Sequence, residues 1–250
     1  MIELAGFNIG HGRGKLLNDI DAHFCAGQLT ALIGRNGAGK STLLRAIAGL
    51  NRRYGGTIRL AGRDMRTMDS AETARTLAFV GTDRTRVGAL RCRDIVAIGR
   101  APYTNWLGHM QEVDRRAVDE AIESVGMTDY ADRSTDRMSD GECQRIMIAR
   151  ALAQATPVML LDEPTSFLDL PGRYELCRLL ARLAHEHGKC IIFSTHDLEI
   201  AMRTADRIAL IDSPRLICMP ADELSRSGEI QRVFGLPDDI PGLTLPRQEA

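Results

Sequence analysis

The 250-residue sequence predicts a single α/β domain, and three observations carry that prediction. Gly34-Arg35-Asn36-Gly37-Ala38-Gly39-Lys40-Ser41-Thr42 has two glycines bracketing four residues, then Lys-Ser-Thr, the pattern of a phosphate-cradling loop. Two uninterrupted apolar runs, at 158–161 and 190–193, suit strands buried on both faces of a sheet. Between about residues 86 and 153 the periodicity is helical, which implies a helical lobe inserted in the α/β core.

The elements follow in order. Residues 2–7, 17–24 and 29–33 are β-like runs separated by glycine-containing turns. The last of them leads into the glycine loop, and a helix over 41–49 packs Leu43, Leu44, Ile47 and Ala48. Residues 57–60 form a strand that turns at Ala61-Gly62, and 78–80 a further short strand. In the lobe, one helix carries Ile95, Val96 and Ile98, and the next a stripe of Val118, Ala121, Ile122 and Val125. Beyond the strand at 158–161 come a helix from about 172 to 187 and a buried strand at 190–195. A helix near 197–204 and a strand at 207–211 follow. The tail after Phe234, with Pro237, Pro241 and Pro246, is expected to be extended over the surface.

Composition excludes several classes. A net charge of −1 supplies no basic field for a nucleic-acid backbone, and 4% aromatics leaves few platforms for stacked bases. The six cysteines lack metal-ligand spacing and are expected to be free thiols of a reducing compartment. Residues 1–5 lack the basic and apolar segments of a signal peptide. No apolar stretch approaches the roughly 20 residues of a membrane helix, so any membrane role is one of docking.

The chemistry concentrates at three places. The glycines let backbone N–H groups close on phosphate oxygens, with the helix N-terminus adding partial positive charge. Lys40 reaches the terminal phosphates and Ser41 offers its hydroxyl to Mg2+. At the end of the first buried strand, Asp162 can bind the same Mg2+. Glu163, expected to point the other way in an extended chain, can face an attacking water. His196 ends the second buried strand, matching the position of Asp162, where ligands collect in open α/β sheets.

These pieces, with Met138-Ser139-Asp140-Gly141-Glu142-Cys143-Gln144-Arg145, resemble an ATP-binding-cassette ATPase. The octet is similar to that family's signature, Leu-Ser-Gly-Gly-Gln/Glu, and the motifs stand in family order over roughly 2–235. The resemblance implies a P-loop NTPase with a RecA-like core, an N-terminal antiparallel β subdomain and an inserted α-helical signature lobe. It implies one cassette over 1–235, a helical subdomain at about 86–153 and a tail at 236–250. Two copies would sandwich two ATP molecules, the loop from Gly34 to Thr42 of one facing Ser139, Gly141 and Glu142 of the other. Glu163 would be the general base, His196 the γ-phosphate sensor, Lys40 a catalytic cation, and Asp169 part of a dimer-contact loop. The segment Gly99-Arg100-Ala101-Pro102-Tyr103 resembles the Gly-Arg-x-Pro-Tyr of ATPases serving iron-siderophore, haem and vitamin B12 importers. A plain turn packed over Trp106 is the alternative for that segment. The implied partners are a second copy, a homodimeric integral-membrane permease and, indirectly, a periplasmic or lipoprotein substrate-binding protein, with no nucleic acid. The implied place is the cytoplasmic face of the membrane. Export, or regulation with weak hydrolysis, is the alternative function.

Three departures from the family pattern stand out. His11 falls where an aromatic usually stacks on adenine, and offers less area. Asp140 replaces the first signature glycine, and is expected to point away from phosphate or to cap the signature helix. Gly81-Thr82-Asp83 replaces a Pro-Gln pair, so Thr82 or Asp83 is expected to act as the metal-facing oxygen. A Thr82→Ala, Asp83→Ala double variant should then lose the normal Mg2+ dependence of turnover. Wild-type Mg2+ dependence and rate in that variant would refute the replacement.

Overall fold

Period-two alternation in the first 60 residues builds an antiparallel sheet. The computed structural model describes residues 1–11, 14–82, 90–104 and 108–237, with backbone only at 11, 14 and 15. Strands β1 (Ile2–His11) and β2 (Gly14–Phe24) pair with Ile2 opposite Phe24, and β4 (Gly55–Leu60) flanks β1 on its other side. Ile2, Leu4, Phe7, Leu17, Ala22, Ile58 and Leu60 are all buried, so one face is apolar. The two-residue β5 (Arg63–Asp64) completes the order β2-β1-β4-β5.

The second sheet has the order β10-β9-β3-β8-β7-β6. Its strands β3 (Gln28–Gly34), β6 (Leu77–Val80), β7 (Val158–Leu161), β8 (Cys190–Ser194) and β9 (Arg207–Asp212) run parallel, and β10 (Arg215–Pro220) is an antiparallel edge. Every residue of β7 and β8 is buried, as strands covered on both faces require. Helix α1 (Lys40–Ile47) packs toward the antiparallel sheet in one apolar cluster with Phe7, Leu32 and Ile192. The opposite face of the parallel sheet shares a second cluster with the helical lobe. There Ala78, Leu161 and Phe193 join Ile95 of α3 (Cys92–Ala97), Ile122 of α4 (Glu112–Ser124) and Ile146 of α5 (Asp140–Ala153).

The structure corrects or adds to the sequence reading at several points. Ile98 is 53% exposed: α3 stops at Ala97 and the chain tightens to a 3₁₀ turn, which rotates Ile98 off the stripe of Ile95 and Val96. Helix α2 (Ser70–Thr76) was not foreseen, although Asp69 and Glu72 form a reciprocal capping box at its start. The edge strand β10, α8 (Ala221–Ser227) and α9 (Glu229–Phe234) were likewise missed, while α6 (Leu170–His187) and α7 (Leu198–Thr204) fall where expected. Pro237 ends the described chain, so the extended-tail expectation lies largely outside the described residues. All six thiols are free, and burial pushes Cys190 up to about 12 and Cys177 and Cys218 to about 11, so these three stay protonated.

One backbone contact locks the antiparallel sheet. Gly56 has φ +74° and lies so close to the Gly6 carbonyl, at a bulge of β1, that no Cβ fits. Gly56→Ala is expected to destabilise the protein by about 2 kcal/mol or more. The measurement is thermal unfolding, with a fall of roughly 4–8 °C.

Candidate active site

Parallel pairing gathers the reactive residues at one edge. β3, β8 and β7 are neighbours, with Leu32 opposite Ser194 and Phe193 opposite Leu161. The loop after β3, Asp162 after β7 and His196 after β8 therefore leave the carboxyl ends of adjacent strands together.

The loop has the geometry its glycines promise. Gly37 and Gly39 adopt φ +77° and +105°, and a Cβ at Gly34 would stand 3.0 Å from the Ile211 carbonyl oxygen. The Ala38 N–H donates to the Arg35 carbonyl at 3.0 Å, and Arg35 and Asn36 are exposed. No side chain caps α1, whose N-cap is Gly39, so the N–H groups at 40–42 are available to an anion. Lys40 is buried, and its ammonium donates to the Gly34 carbonyl at 3.0 Å across the loop. Thr42 follows Ser41 in the first turn of α1.

Asp162 is 1% exposed and is held from two sides. Its Oδ1 accepts the Ser41 hydroxyl at 3.0 Å and the Ser194 hydroxyl at 2.7 Å. Its Oδ2 is buried without any hydrogen-bond partner. A buried orphan oxygen beside a serine hydroxyl fits a hard divalent cation such as Mg2+. Among the described residues no cluster of three or more His, Cys, Asp or Glu could hold a metal by itself.

Glu163 corrects the sequence expectation of an extended chain. Its φ is +50°, in the left-handed region that a non-glycine residue rarely enters. The Ser194 hydroxyl oxygen accepts the Glu163 N–H at 2.8 Å and so stabilises that backbone. The Glu163 carboxyl accepts the Ser166 hydroxyl at 2.8 Å, and His196 Nδ1 lies 3.5 Å from it. Glu163 and His196 thus face one another across the strand ends, although β7 and β8 carry them separately.

Sequence reasoning missed Ser194, Ser166 and Arg173. Ser194 directly follows the apolar run at 190–193 that signalled the strand, and a lone hydroxyl there gives no pattern. Arg173 joins the 166–169 segment to the loop after His196, donating to the Leu168 carbonyl at 2.9 Å and to Asp197 at 3.2 Å.

At the signature, Ser139 is the N-cap of α5 and Glu142 closes a capping box. The Ser139 N–H and hydroxyl both donate to the Glu142 carboxyl, at 2.8 and 2.9 Å. Those bonds, the Ser139 N–H foremost, hold the Glu142 carboxyl below the usual carboxylate range. Asp140 is therefore not the cap: it is the first residue of the helix, where an acid favours the macrodipole. A Cβ on Gly141 would stand 2.8 Å from Leu168, so the signature packs on the 166–169 segment. Asp169 caps α6, accepting the Gly172 N–H at 3.0 Å. His11 ends β1 with its side chain outside the described residues, and Asp83 and Trp106 lie outside them as well. Thr82 is half-buried just beyond β6.

The sequence profile of the ABC transporter family matches residues 17–166, from within β2 to the segment after Asp162. The chain belongs to that family. It is an ABC ATPase cassette that binds ATP, and ATP-binding subunits of ABC importers work with membrane permease components. The achromobactin transport ATP-binding protein of Dickeya dadantii is 36% identical, over 91% of this chain and 85% of its own. The ferric enterobactin transport ATP-binding protein of Escherichia coli is 34% identical, over 91% of this chain and 84% of its own. A solved ABC transporter of metal-chelate type, in an inward-facing conformation, superposes with a TM-score of 0.82 at 26% identity, covering 94% of this chain and 89% of that one.

Ser194→Ala removes the hydroxyl that serves both Asp162 and Glu163. The expected outcome is a loss of about 1–3 kcal/mol in stability and a fall in kcat of about tenfold or more. ATP affinity, held by the loop, should stay within about threefold. An unchanged kcat would show that Ser194 does not hold the Glu163 peptide.

Proposed function

We propose that two copies of this chain close on two ATP molecules and drive an importer for iron-siderophore, haem or vitamin B12. The observation that carries the reading is the hydrogen-bonded chain Ser41–Asp162–Ser194–Glu163, which joins a phosphate loop to a positioned carboxyl. Lys40 and the N–H groups at 37–42 bind the β- and γ-phosphates, the lysine exchanging the Gly34 carbonyl for phosphate oxygen. Ser41 and Asp162 hold Mg2+, which, when bound, neutralises charge that develops on the phosphoryl oxygens. Glu163, steadied by the Ser166 hydroxyl and by the Ser194 bond to its own N–H, orients the attacking water and accepts its proton. His196 stands beside that water and contacts the γ-phosphate.

The second copy supplies what one copy lacks. Ser139 and the backbone at Gly141, at the N-terminus of a 14-residue helix, present donors and a dipole to the γ-phosphate of the facing loop. Glu142 contributes by holding Ser139 in place. Phe167 and Leu170, 37% and 60% exposed beside Asp169, supply apolar area for the facing copy. Moving an open–closed equilibrium from 1:99 to 99:1 takes about 5.5 kcal/mol. Two sites then supply roughly 2.7 kcal/mol each, within reach of a few charge-assisted contacts.

The relatives' named cargoes and the 99–103 segment support import of a metal chelate or a large cofactor. Among the described residues no helix is long and apolar enough to cross a membrane. Peripheral docking on a permease at the cytoplasmic face, with a periplasmic or lipoprotein binding protein on the other side, belongs to the same reading. Glu163→Gln is expected to trap an ATP-bound dimer with little hydrolysis, measured by light scattering and phosphate release. A strictly monomeric variant in saturating ATP would overturn the reading. Steady-state ATPase with and without the co-purifying permease separates a transport motor from a regulatory module.

A further inference from the structure

The segment at 98–104 grips the end of α5 that lies farthest from the signature. Arg100 is 6% exposed. Its Nε and Nη2 both lie 2.9 Å from Asp114 Oδ1 on α4, and its Nη1 donates to the Ala153 carbonyl, the last residue of α5, at 2.7 Å. The Tyr103 ring lies 4.1 Å from the Arg100 guanidinium carbon, and the Tyr103 hydroxyl donates to the Gln154 carbonyl at 3.0 Å. Gln154 in turn donates to the carbonyls of Ala74 and Leu77 at 2.5 and 3.0 Å, where α2 meets β6. Gly99 presses on the Arg150 carbonyl so closely that no Cβ fits. A guanidinium at a helix C-terminus satisfies orphan carbonyls and opposes the dipole. Here it also ties α5 to α4, while Gln154 ties it to the parallel sheet.

We infer that Arg100 is a positioning residue for the signature. By clamping the C-terminal end of α5 to α4, it sets the tilt of a helix about 20 Å long and so where Ser139 and Gly141 meet ATP on a facing copy. A buried ion pair is a poor source of net stability compared with an apolar pair of the same volume. What the planar fork adds is direction: three contacts from one rigid group reach two helices. A misplacement of about 1 Å in a contacting group can cost on the order of 10²-fold. The inference rests on the closed-dimer reading above.

The test uses the full chain in the Glu163→Gln background. It compares the parent with Arg100→Met, Arg100→Lys and the double substitution Arg100→Met, Asp114→Leu. Two binding readouts are taken: affinity of the dilute monomer for a fluorescent ATP analogue, and the ATP concentration that gives half-maximal dimer by light scattering. Monomer affinity should stay within about twofold, because the loop from Gly34 to Thr42 is untouched. The ATP needed for half-dimer should rise about tenfold or more in Arg100→Met, and by less in Arg100→Lys. The double substitution leaves no buried charge unpaired but also frees the Gln111 N–H that Asp114 accepts at 2.9 Å, so its melting temperature should lie above that of Arg100→Met and short of the parent's while its dimerisation stays shifted. Should Arg100→Met fail to fold, the double substitution carries the comparison. Recovery of both stability and dimerisation in the double substitution would reduce Arg100 to a structural role and overturn the inference. Dimerisation unaffected by any change at Arg100 would overturn it too. A parent that never dimerises in ATP would instead remove the closed-dimer reading, and this inference with it.

Discussion

Asp162 accepts two hydroxyl hydrogen bonds on one oxygen while the other is buried with none, and the rest of the site is arranged around that imbalance. A carboxyl withdrawn from water needs polar partners, and Ser41 and Ser194 supply them from α1 and β8. Those bonds pull the phosphate loop and two strand ends to one spot. The same Ser194 hydroxyl takes the Glu163 N–H, so the two neighbouring carboxyl residues share one support. The left-handed backbone of Glu163 is strained, and strain at a reactive residue persists only where its surroundings over-determine it.

That half-site is rigid because it is built from strand ends within a continuous apolar layer. The other half is not part of the same edge. Ser139 opens a helix of the inserted lobe, and its hydroxyl and N–H both donate to Glu142. The arrangement gives two surfaces, each with a helix N-terminus at its edge.

The lobe is not an independent body. Its apolar residues share a cluster with Leu161 and Phe193 beneath the reactive edge. At the far end of α5, polar bonds through Arg100, Tyr103 and Gln154 connect α4, the 98–104 turn and the α2–β6 junction. Apolar contacts are non-directional, whereas the planar guanidinium bonds its partners in fixed directions.

Much of this was legible along the chain. The glycine loop, the apolar runs ending at Asp162 and His196, and the signature announced themselves because backbone geometry and phosphate chemistry demand particular residues at particular spacings. Short elements without a strong period, such as α8 and α9, did not, and the box of Asp69 and Glu72 that starts α2 was a signal passed over. Ile98 was misplaced because a helical period cannot show where a helix tightens and stops. The order and identity of residues alone determined the α/β class and the kind of ligand the loop accepts. Only tertiary structure decided that Ser194 would serve both acids, that Glu163 would turn left-handed rather than run on extended, and that Arg100 would seize the end of α5. Those outcomes depend on partners 31 to 53 residues apart in sequence, and distance along a chain carries no record of which groups burial will force together.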